Sequence, residues 1–245
     1  MYYQEFCVNQ VKNALSLGLT NDQLDSVAYK YALKGGLIRL YAETYFLSGP
    51  PKKSGEFKFW AVNFGSKRNI VQGRHVWNVL LCSTKAYKLC EDIENKVVSY
   101  KTAKKPYYEH IEPANRTYKL LLKLNGTSPS TTQIENILNR SKLVVLADDE
   151  KKYLDSAGYN VFRKEDEDLI KEWCANGYIN QIIATEAINS MKRGNKYIGT
   201  KDNGTSYARI AHLVNYGVEF IWGKNPSLTG GQLIADYLND HNHII

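Results

Sequence analysis

The sequence predicts an α+β fold, with an N-terminal helical segment followed by a mixed or antiparallel sheet with packed helices. Two observations support this. Apolar residues recur at helical spacing within residues 3–46, and strand-sized apolar runs such as Leu143–Leu146 follow later. We therefore divide the chain into a helical segment (1–48), a β-rich part (56–126) and an α/β part (127–245), expected to form one compact unit with a flexible loop at 48–55.

The composition predicts a soluble protein of a reducing compartment. With 245 residues and 43% hydrophobic side chains, the chain can bury a substantial core. It has neither an apolar run of ~20 residues nor an N-terminal signal pattern, so we expect no membrane contact and no export. Its four cysteines follow no C-x-x-C spacing, which favours reduced thiols over disulfide bonds or a metal site. The net charge of +7 permits contact with nucleic acid.

Local signals predict helices in the first part of the chain. Residues 3–16 place apolar side chains along one side of a helix, and Gly18 ends it. Thr20 and Gln23 have the spacing of a capping box, in which each side chain accepts a hydrogen bond from the other residue's backbone amide. Gly35 and Gly36 interrupt the helical pattern that follows.

Strand patterns dominate the β-rich part. Residues 57–64 are rich in aromatic side chains and 75–82 form an apolar run, so both are predicted strands. Residues 117–124 are predicted to form another strand. Between them, Thr84–Glu94 is predicted to be helical.

Helices and strands are predicted to alternate after residue 127. Asn176 and Gly177 mark a break in a long helical pattern, and that pattern ends in the basic residues Lys192 and Arg193. Gly217 is predicted to cap the end of a later helix. The predicted helices are 131–139, 149–156, 165–191, 206–216 and 227–239, and the predicted strands are 142–146, 159–162, 196–199 and 218–222.

The residue patterns predict a protein that is not an enzyme and holds neither a cofactor nor a metal. Ser206 and His212 lie six residues apart on different faces of one helix, which does not suit a nucleophile and its base. His212 is instead predicted to be a partly buried histidine with satisfied hydrogen bonds. The acidic run at 165–168 is predicted to be a solvated helix start, since carboxylates are favoured there.

Basic residues accompany aromatic ones in several stretches, an arrangement that suits a phosphate backbone or stacked bases. One group flanks the aromatic strand at 57–64, and another surrounds the predicted strand at 196–199. The predicted interface or DNA-facing residues are Lys52, Lys53, Lys67, Arg68, Arg74, Lys192, Arg193, Lys196, Lys201 and Arg209.

A distinct pattern occupies residues 196–238. Residues 197–200 read Tyr-Ile-Gly-Thr, and the later part contains Pro226 and a final helical run. Between them lie the motif positions Tyr207, Ala208, Val214, Tyr216 and Gly217. The pattern resembles that of the head–tail joining, or tail-completion, proteins of the neck of tailed bacteriophages. The chain departs from it at Asn215, where an acidic residue is usual, and at Val218, where threonine is common.

The resemblance implies a virion structural protein whose subunits form a ring at the phage neck or tail, through which DNA passes. It implies a homo-oligomer that contacts other virion proteins and touches DNA without sequence specificity, in the virion and in the host cytoplasm during assembly. The 18 tyrosines would then serve subunit interfaces. Two alternatives stay open: a nucleic-acid-binding protein of viral or plasmid replication, and an enzyme with a non-obvious site, such as a divergent nuclease.

Overall fold

A computed structural model describes residues 2–26, 30–43, 80–98, 106–156, 159–201 and 203–240. It contains helices, a mixed four-stranded sheet and a two-stranded sheet, which confirms the predicted α+β class. The predicted loop at 48–55 and the aromatic strand at 57–64 lie outside the described residues. Within the described part of the chain, no helix has the length and apolar character needed to span a bilayer.

The first two helices follow the predicted local signals. Helix α1 comprises Tyr2–Leu15 and α2 comprises Asn21–Leu24. Thr20 Oγ1 accepts a hydrogen bond from the amide of Gln23 (3.2 Å), and Gln23 Oε1 accepts one from the amide of Thr20 (2.8 Å). This confirms the predicted capping box.

The double glycine falls inside a helical segment of unusual geometry. Tyr31–Ile38 forms a π-helix that contains Gly35 and Gly36 and continues into α3 (Arg39–Glu43). The predicted interruption therefore takes the form of wider helical turns, which the permissive backbone of glycine allows.

The described chain resumes with strand β1 (Leu81–Ser83), which leads directly into helix α4 (Thr84–Glu94). Ser83 Oγ accepts a hydrogen bond from the amide of Ala86 (3.1 Å) and so caps α4. Strand β2 (Tyr107–His110) follows, in a segment for which no strand was predicted.

The strand predicted at 117–124 is wrong, because these residues belong to helix α5 (Ala114–Leu122) and the turn after it. The buried residues Tyr118 and Leu121 lie three positions apart, so they share one face of a helix. Helix α6 (Thr131–Leu138) follows and is capped by Ser130, whose Oγ accepts from the amide of Gln133 (3.2 Å). Side chains of α1, α5 and α6 form a hydrophobic cluster of their own.

The main sheet has the strand order β2-β3-β1-β6, in which β3 is Leu143–Leu146 and β6 is Phe220–Trp222. The two central strands, β1 and β3, are parallel and fully buried, whereas β2 and β6 pair antiparallel to them at the two sides. This sheet lies within the larger hydrophobic cluster of the chain.

The C-terminal part continues with α7 (Lys152–Asp155), α8 (Lys164–Ala175) and α9 (Gln181–Ser190). Helix α7 is shorter than the predicted helix at 149–156. The predicted break between α8 and α9 is confirmed: Gly177 adopts a φ of +76°, and the amide of Tyr178 donates to the carbonyl of Trp173 (3.0 Å).

A short hairpin replaces the predicted basic helix end. Lys192–Arg193 forms strand β4 and Lys196–Tyr197 forms β5, so the helix stops before the basic residues. Gly194 turns the chain between them with a φ of +60°. The strand predicted at 159–162 is reduced to a single bridge between Val161 and Gly199.

Helix α10 (Ser206–Asn215) occupies the centre of the C-terminal part, and α11 (Gly230–Asn239) is the last helix described. Every residue from 206 to 213 is buried. Helix α10 packs against α7, α8, α9 and α11. Only the last residues of α10, from Val214 onward, are partly exposed.

Candidate functional site

The predicted basic residues do not come together in one place. Arg193, Lys196 and Lys201 are exposed. Lys192 is engaged through its ammonium group by the carboxylate of Glu167. Lys52, Lys53, Lys67, Arg68 and Arg74 lie outside the described residues.

Arg209 does not belong on a DNA-facing surface, because its side chain lies in the interior and is only 3% exposed. Its Nη1 donates to the carbonyl of His110 (3.1 Å), and its Nη2 donates to Glu109 Oε1 (3.1 Å). Arg209 thereby joins α10 to β2, and this internal role replaces the predicted interface role.

The predicted motif at residues 207–217 folds as a capped helix. Thr205 Oγ1 accepts from the amide of Ala208 (3.3 Å) at its start. At its end, Gly217 has a φ of +80°, and the amide of Val218 donates to the carbonyl of Leu213 (3.1 Å). These are the features of a Schellman ending, so the predicted glycine cap is confirmed.

His212 lies near the end of α10 and is fully buried, with 0% of its surface exposed. Its Nδ1 lies 2.8 Å from Asp166 Oδ2, and its Nε2 lies 2.6 Å from the carbonyl oxygen of Tyr159 and 3.0 Å from that of Tyr153. Carbonyl oxygens only accept, so Nε2 is the nitrogen that donates to Tyr159 and Tyr153. Both ring nitrogens therefore have hydrogen-bond partners, and the prediction of satisfied hydrogen bonds is confirmed.

The acidic run that opens α8 is only partly the solvated helix start predicted from the sequence, since Glu165 and Asp168 are exposed but Asp166 and Glu167 are buried. Asp166 is 0% exposed, and it is hydrogen-bonded to His212 and to the amide of Arg163 (2.9 Å). Glu167 is also buried and is held by Lys171, Lys192 and the hydroxyl of Tyr197. Hydrogen bonds from Lys171 and Lys192 lower the pKa of Glu167 to about 2.

Three tyrosines surround the end of α10. The rings of Tyr153 and Tyr216 are stacked with centroids 4.8 Å apart, and Tyr159 packs edge-on against both. The guanidinium of Arg163 lies 4.2 Å from the centre of the Tyr216 ring. We call this group the tyrosine surface; it comprises Tyr153, Tyr159, Arg163 and Tyr216, together with Val161, which lies between Tyr159 and Arg163 in the sequence.

The tyrosine surface combines exposed apolar groups with a fixed backbone. Tyr159 is 47% exposed and Val161 is 46% exposed. The carbonyl of Tyr159 accepts from the buried ring of His212, and the backbone of Val161 is bridged to Gly199. The exposed side chains are therefore presented by a segment that the interior holds in place.

No protein-family model, curated protein or solved structure matches this chain.

His212 lies beneath the tyrosine surface. It is enclosed and both of its ring nitrogens are hydrogen-bonded internally, so it is not placed to meet a substrate. The sequence pattern identified Tyr216 but missed Tyr153, Tyr159, Val161 and Arg163. Tyr153, the stretch 159–163 and Tyr216 belong to three separate segments, and the local pattern carries no signal that the fold brings these segments together.

Proposed function

We propose that this chain is a virion structural protein, an oligomeric ring component of the head–tail connector or neck of a tailed bacteriophage. The observation that carries the proposal is the tyrosine surface at the end of α10, where the exposed Tyr159 packs against Tyr216 and the exposed Val161 follows two residues later. We assign this surface to the contact with a second copy of the chain.

The order of elements over residues 196–238 supports the same proposal. A short strand (β5) leads through a polar turn to the capped helix α10, the chain then enters strand β6, and α11 ends the segment. Pro226 lies in the turn before α11. This is the order that the resemblance to the phage neck proteins requires.

The physical chemistry of interfaces favours the tyrosine surface as the contact. Tyrosine and arginine are enriched at the energetic centres of interfaces, and tyrosine buries a large area while fixing only two rotatable bonds. The backbone of this segment is already fixed by His212, so less conformational entropy is lost on association. In a closed ring, each tyrosine surface would pack against a different surface of the next copy.

The experiment compares the assembly of two variants that each place a charge on an exposed apolar residue. Val161→Asp alters the tyrosine surface, whereas Ile182→Asp alters α9, where Ile182 is 79% exposed. We expect the wild-type protein and Ile182→Asp to form rings, measured by light scattering and negative-stain microscopy. Val161→Asp should stay monomeric, with a loss of at least about tenfold in the association constant.

Circular dichroism provides the control for folding in both variants. The proposal fails if the wild-type protein stays monomeric at every concentration and salt tested, both alone and with a purified neck or tail assembly. It also fails if Val161→Asp assembles as well as Ile182→Asp.

One observation favours the alternative of a nucleic-acid-binding protein. Arg193 and Lys196 lie directly opposite each other in the β4–β5 hairpin, and both are exposed. Like charges in this position repel each other, and a bound phosphate backbone would relieve the repulsion. We therefore assign any DNA contact of the described residues to this hairpin.

Salt-dependent DNA binding tests the alternative. Replacing both Arg193 and Lys196 with alanine should reduce the slope of log affinity against log salt by about 2, while the exposed Lys88→Ala should leave it unchanged. If the wild-type protein and the double variant have equal slopes, the hairpin does not contact DNA.

A further inference from the structure

Helix α1 exposes apolar side chains on the side that faces away from the core. It buries four apolar residues on its inner side: Cys7, Val8, Val11 and Leu15. Phe6 is 43% exposed and Leu17 is 57% exposed, and backbone hydrogen bonds continue the helical turn beyond α1 as far as Leu17. Residues 6, 10, 13 and 17 share one face at helical spacing, so the exposed Gln10 and Asn13 lie between the two apolar side chains. We call this face, with the exposed Glu5 beside it, the α1 surface.

Glu5 gives the α1 surface a negative charge that is not paired. Within the described residues, no ion pair or hydrogen bond engages its carboxylate. Lys12 belongs to the same helix but lies about two turns further on, too far for a direct contact. The α1 surface can therefore accept a cation from another molecule.

The tyrosine surface carries a positive charge that is not paired either. The guanidinium of Arg163 lies over the ring of Tyr216, but no carboxylate forms an ion pair with it in the part of the chain that the structure describes. Its Nε is enclosed and has no hydrogen-bond partner. Arg163 is also the N-cap residue of α8, where the helix dipole disfavours a positive charge. An acidic group from a second molecule would relieve both deficits.

The two surfaces lie near opposite ends of α10. The tyrosine surface surrounds Tyr216, at the end of α10. Helix α1 packs against α6, and Asn136 of α6 lines a cavity together with Ser206, the first residue of α10. A head-to-tail contact in a ring joins two different surfaces of the same chain, and surfaces at separate ends suit this geometry.

We propose that the tyrosine surface of one copy docks on the α1 surface of the next copy, with Arg163 against Glu5. The exposed apolar side chains of the two surfaces then pack against each other. The inference rests on the proposed ring function and names the surface that the tyrosine surface meets.

The distribution of exposed apolar residues favours this pairing. Seven large apolar residues of the described chain are exposed, and four of them belong to the two surfaces. The other three, Val97, Tyr107 and Ile182, each lie on a different segment. Burial of the apolar side chains supplies the main driving force for association, and the pair of Arg163 and Glu5 sets the orientation.

The experiment mixes two variants that each disable one surface. Leu17→Asp alters the α1 surface and Val161→Asp alters the tyrosine surface, and each alone should lose at least about tenfold in the association constant and stay monomeric. Mixed in equal amounts, they should form a one-to-one dimer that does not grow, because the tyrosine surface of Leu17→Asp is intact and so is the α1 surface of Val161→Asp. Analytical ultracentrifugation measures the mass, and circular dichroism checks the folding. Ile182→Asp is the control and should form rings.

Exchanging the charges gives a second test that leaves the apolar side chains unchanged. Arg163→Glu and Glu5→Arg should each weaken assembly by at least about tenfold, and the double variant should recover it. If the wild-type protein does not assemble, the ring function and this inference both fail. If rings form but Leu17→Asp still assembles, if the mixture contains only monomers, or if the double variant is not rescued, the α1 surface is not the partner and the ring function stands.

Discussion

Replacing Asp166 tests whether its buried hydrogen bonds hold the end of α10 in place. The carboxyl group makes three hydrogen bonds: with His212 Nδ1 (2.8 Å), from the amide of Arg163 (2.9 Å) and from Asn215 Nδ2 (2.9 Å). In Asp166→Ala, the exposed amide of Asn215 can turn to water, but the ring of His212 and the amide of Arg163 lose their partner.

The magnitude follows from these losses. Leaving a buried hydrogen-bonding group without a partner costs about 1–3 kcal/mol, so the two losses together cost about 2–6 kcal/mol. For a chain of this length, we expect Asp166→Ala to lower the melting temperature by about 4–24 °C. Asp166→Asn keeps the shape and one acceptor, so its cost should be smaller, about 1–2 kcal/mol.

The matched control is Asp168→Ala on the same helix. The side chain of Asp168 is 55% exposed and pairs with Lys164 at the surface, so its loss should change the unfolding free energy by only about 0.5 kcal/mol. Urea denaturation, followed by the fluorescence of the buried Trp173 and Trp222, measures all three variants. If Asp166→Ala and Asp168→Ala unfold at the same urea concentration, the hydrogen bonds of Asp166 do not stabilise this end of the protein.

Two further predictions concern the same half of the chain. The pKa of Glu167 is lowered to about 2 by Lys171 and Lys192, so its stabilisation is present above the unfolded value of about 4.5 and is lost as the pH falls toward 2. Glu167→Gln should lower the free energy of unfolding by about 1–2 kcal/mol at pH 7. Urea titrations should show that this difference from the wild-type protein shrinks below about pH 4.5. A difference that stays constant with pH would contradict the lowered pKa of Glu167. A β-carbon on Gly231 would lie 2.6 Å from both Trp173 Cδ1 and Tyr178 Cδ2, so Gly231→Ala should destabilise by about 1–3 kcal/mol in thermal unfolding. Gln232→Ala is the control at the neighbouring position. If the two variants have equal melting temperatures, the rings of Trp173 and Tyr178 move aside without cost and the prediction is wrong.

The elements predicted correctly are those whose signals are local. The capping box at Thr20 and Gln23, the break at Gly177 and the cap at Gly217 each depend on residues within one or two turns. The physical cause is equally local. The unpaired backbone amides of a first helical turn are satisfied by a nearby side chain, and a residue with a positive φ is most easily a glycine.

The incorrect predictions arose where packing decides between two patterns. Tyr118, Leu120, Leu122 and Leu124 alternate as in a strand, yet the structure buries Tyr118 and Leu121 on one face of α5. The hydroxyl of Tyr118 donates to the carbonyl of Leu24 (2.7 Å), a contact 94 positions away in the sequence. The helix is therefore favoured by the surfaces it meets, which the local pattern does not reveal.

By itself, the sequence determined the α+β class, most of the helices of the C-terminal part and the capped helix at residues 206–215. Only the tertiary structure decided that Arg209 is internal, that Asp166 is buried beneath His212 and that Tyr153, Tyr159 and Tyr216 form one surface. The reason is physical. Helix caps and turns depend on neighbouring residues, whereas the burial of a polar group depends on partners that the fold brings from elsewhere in the chain. Asp166 and His212, for example, are 46 positions apart in the sequence.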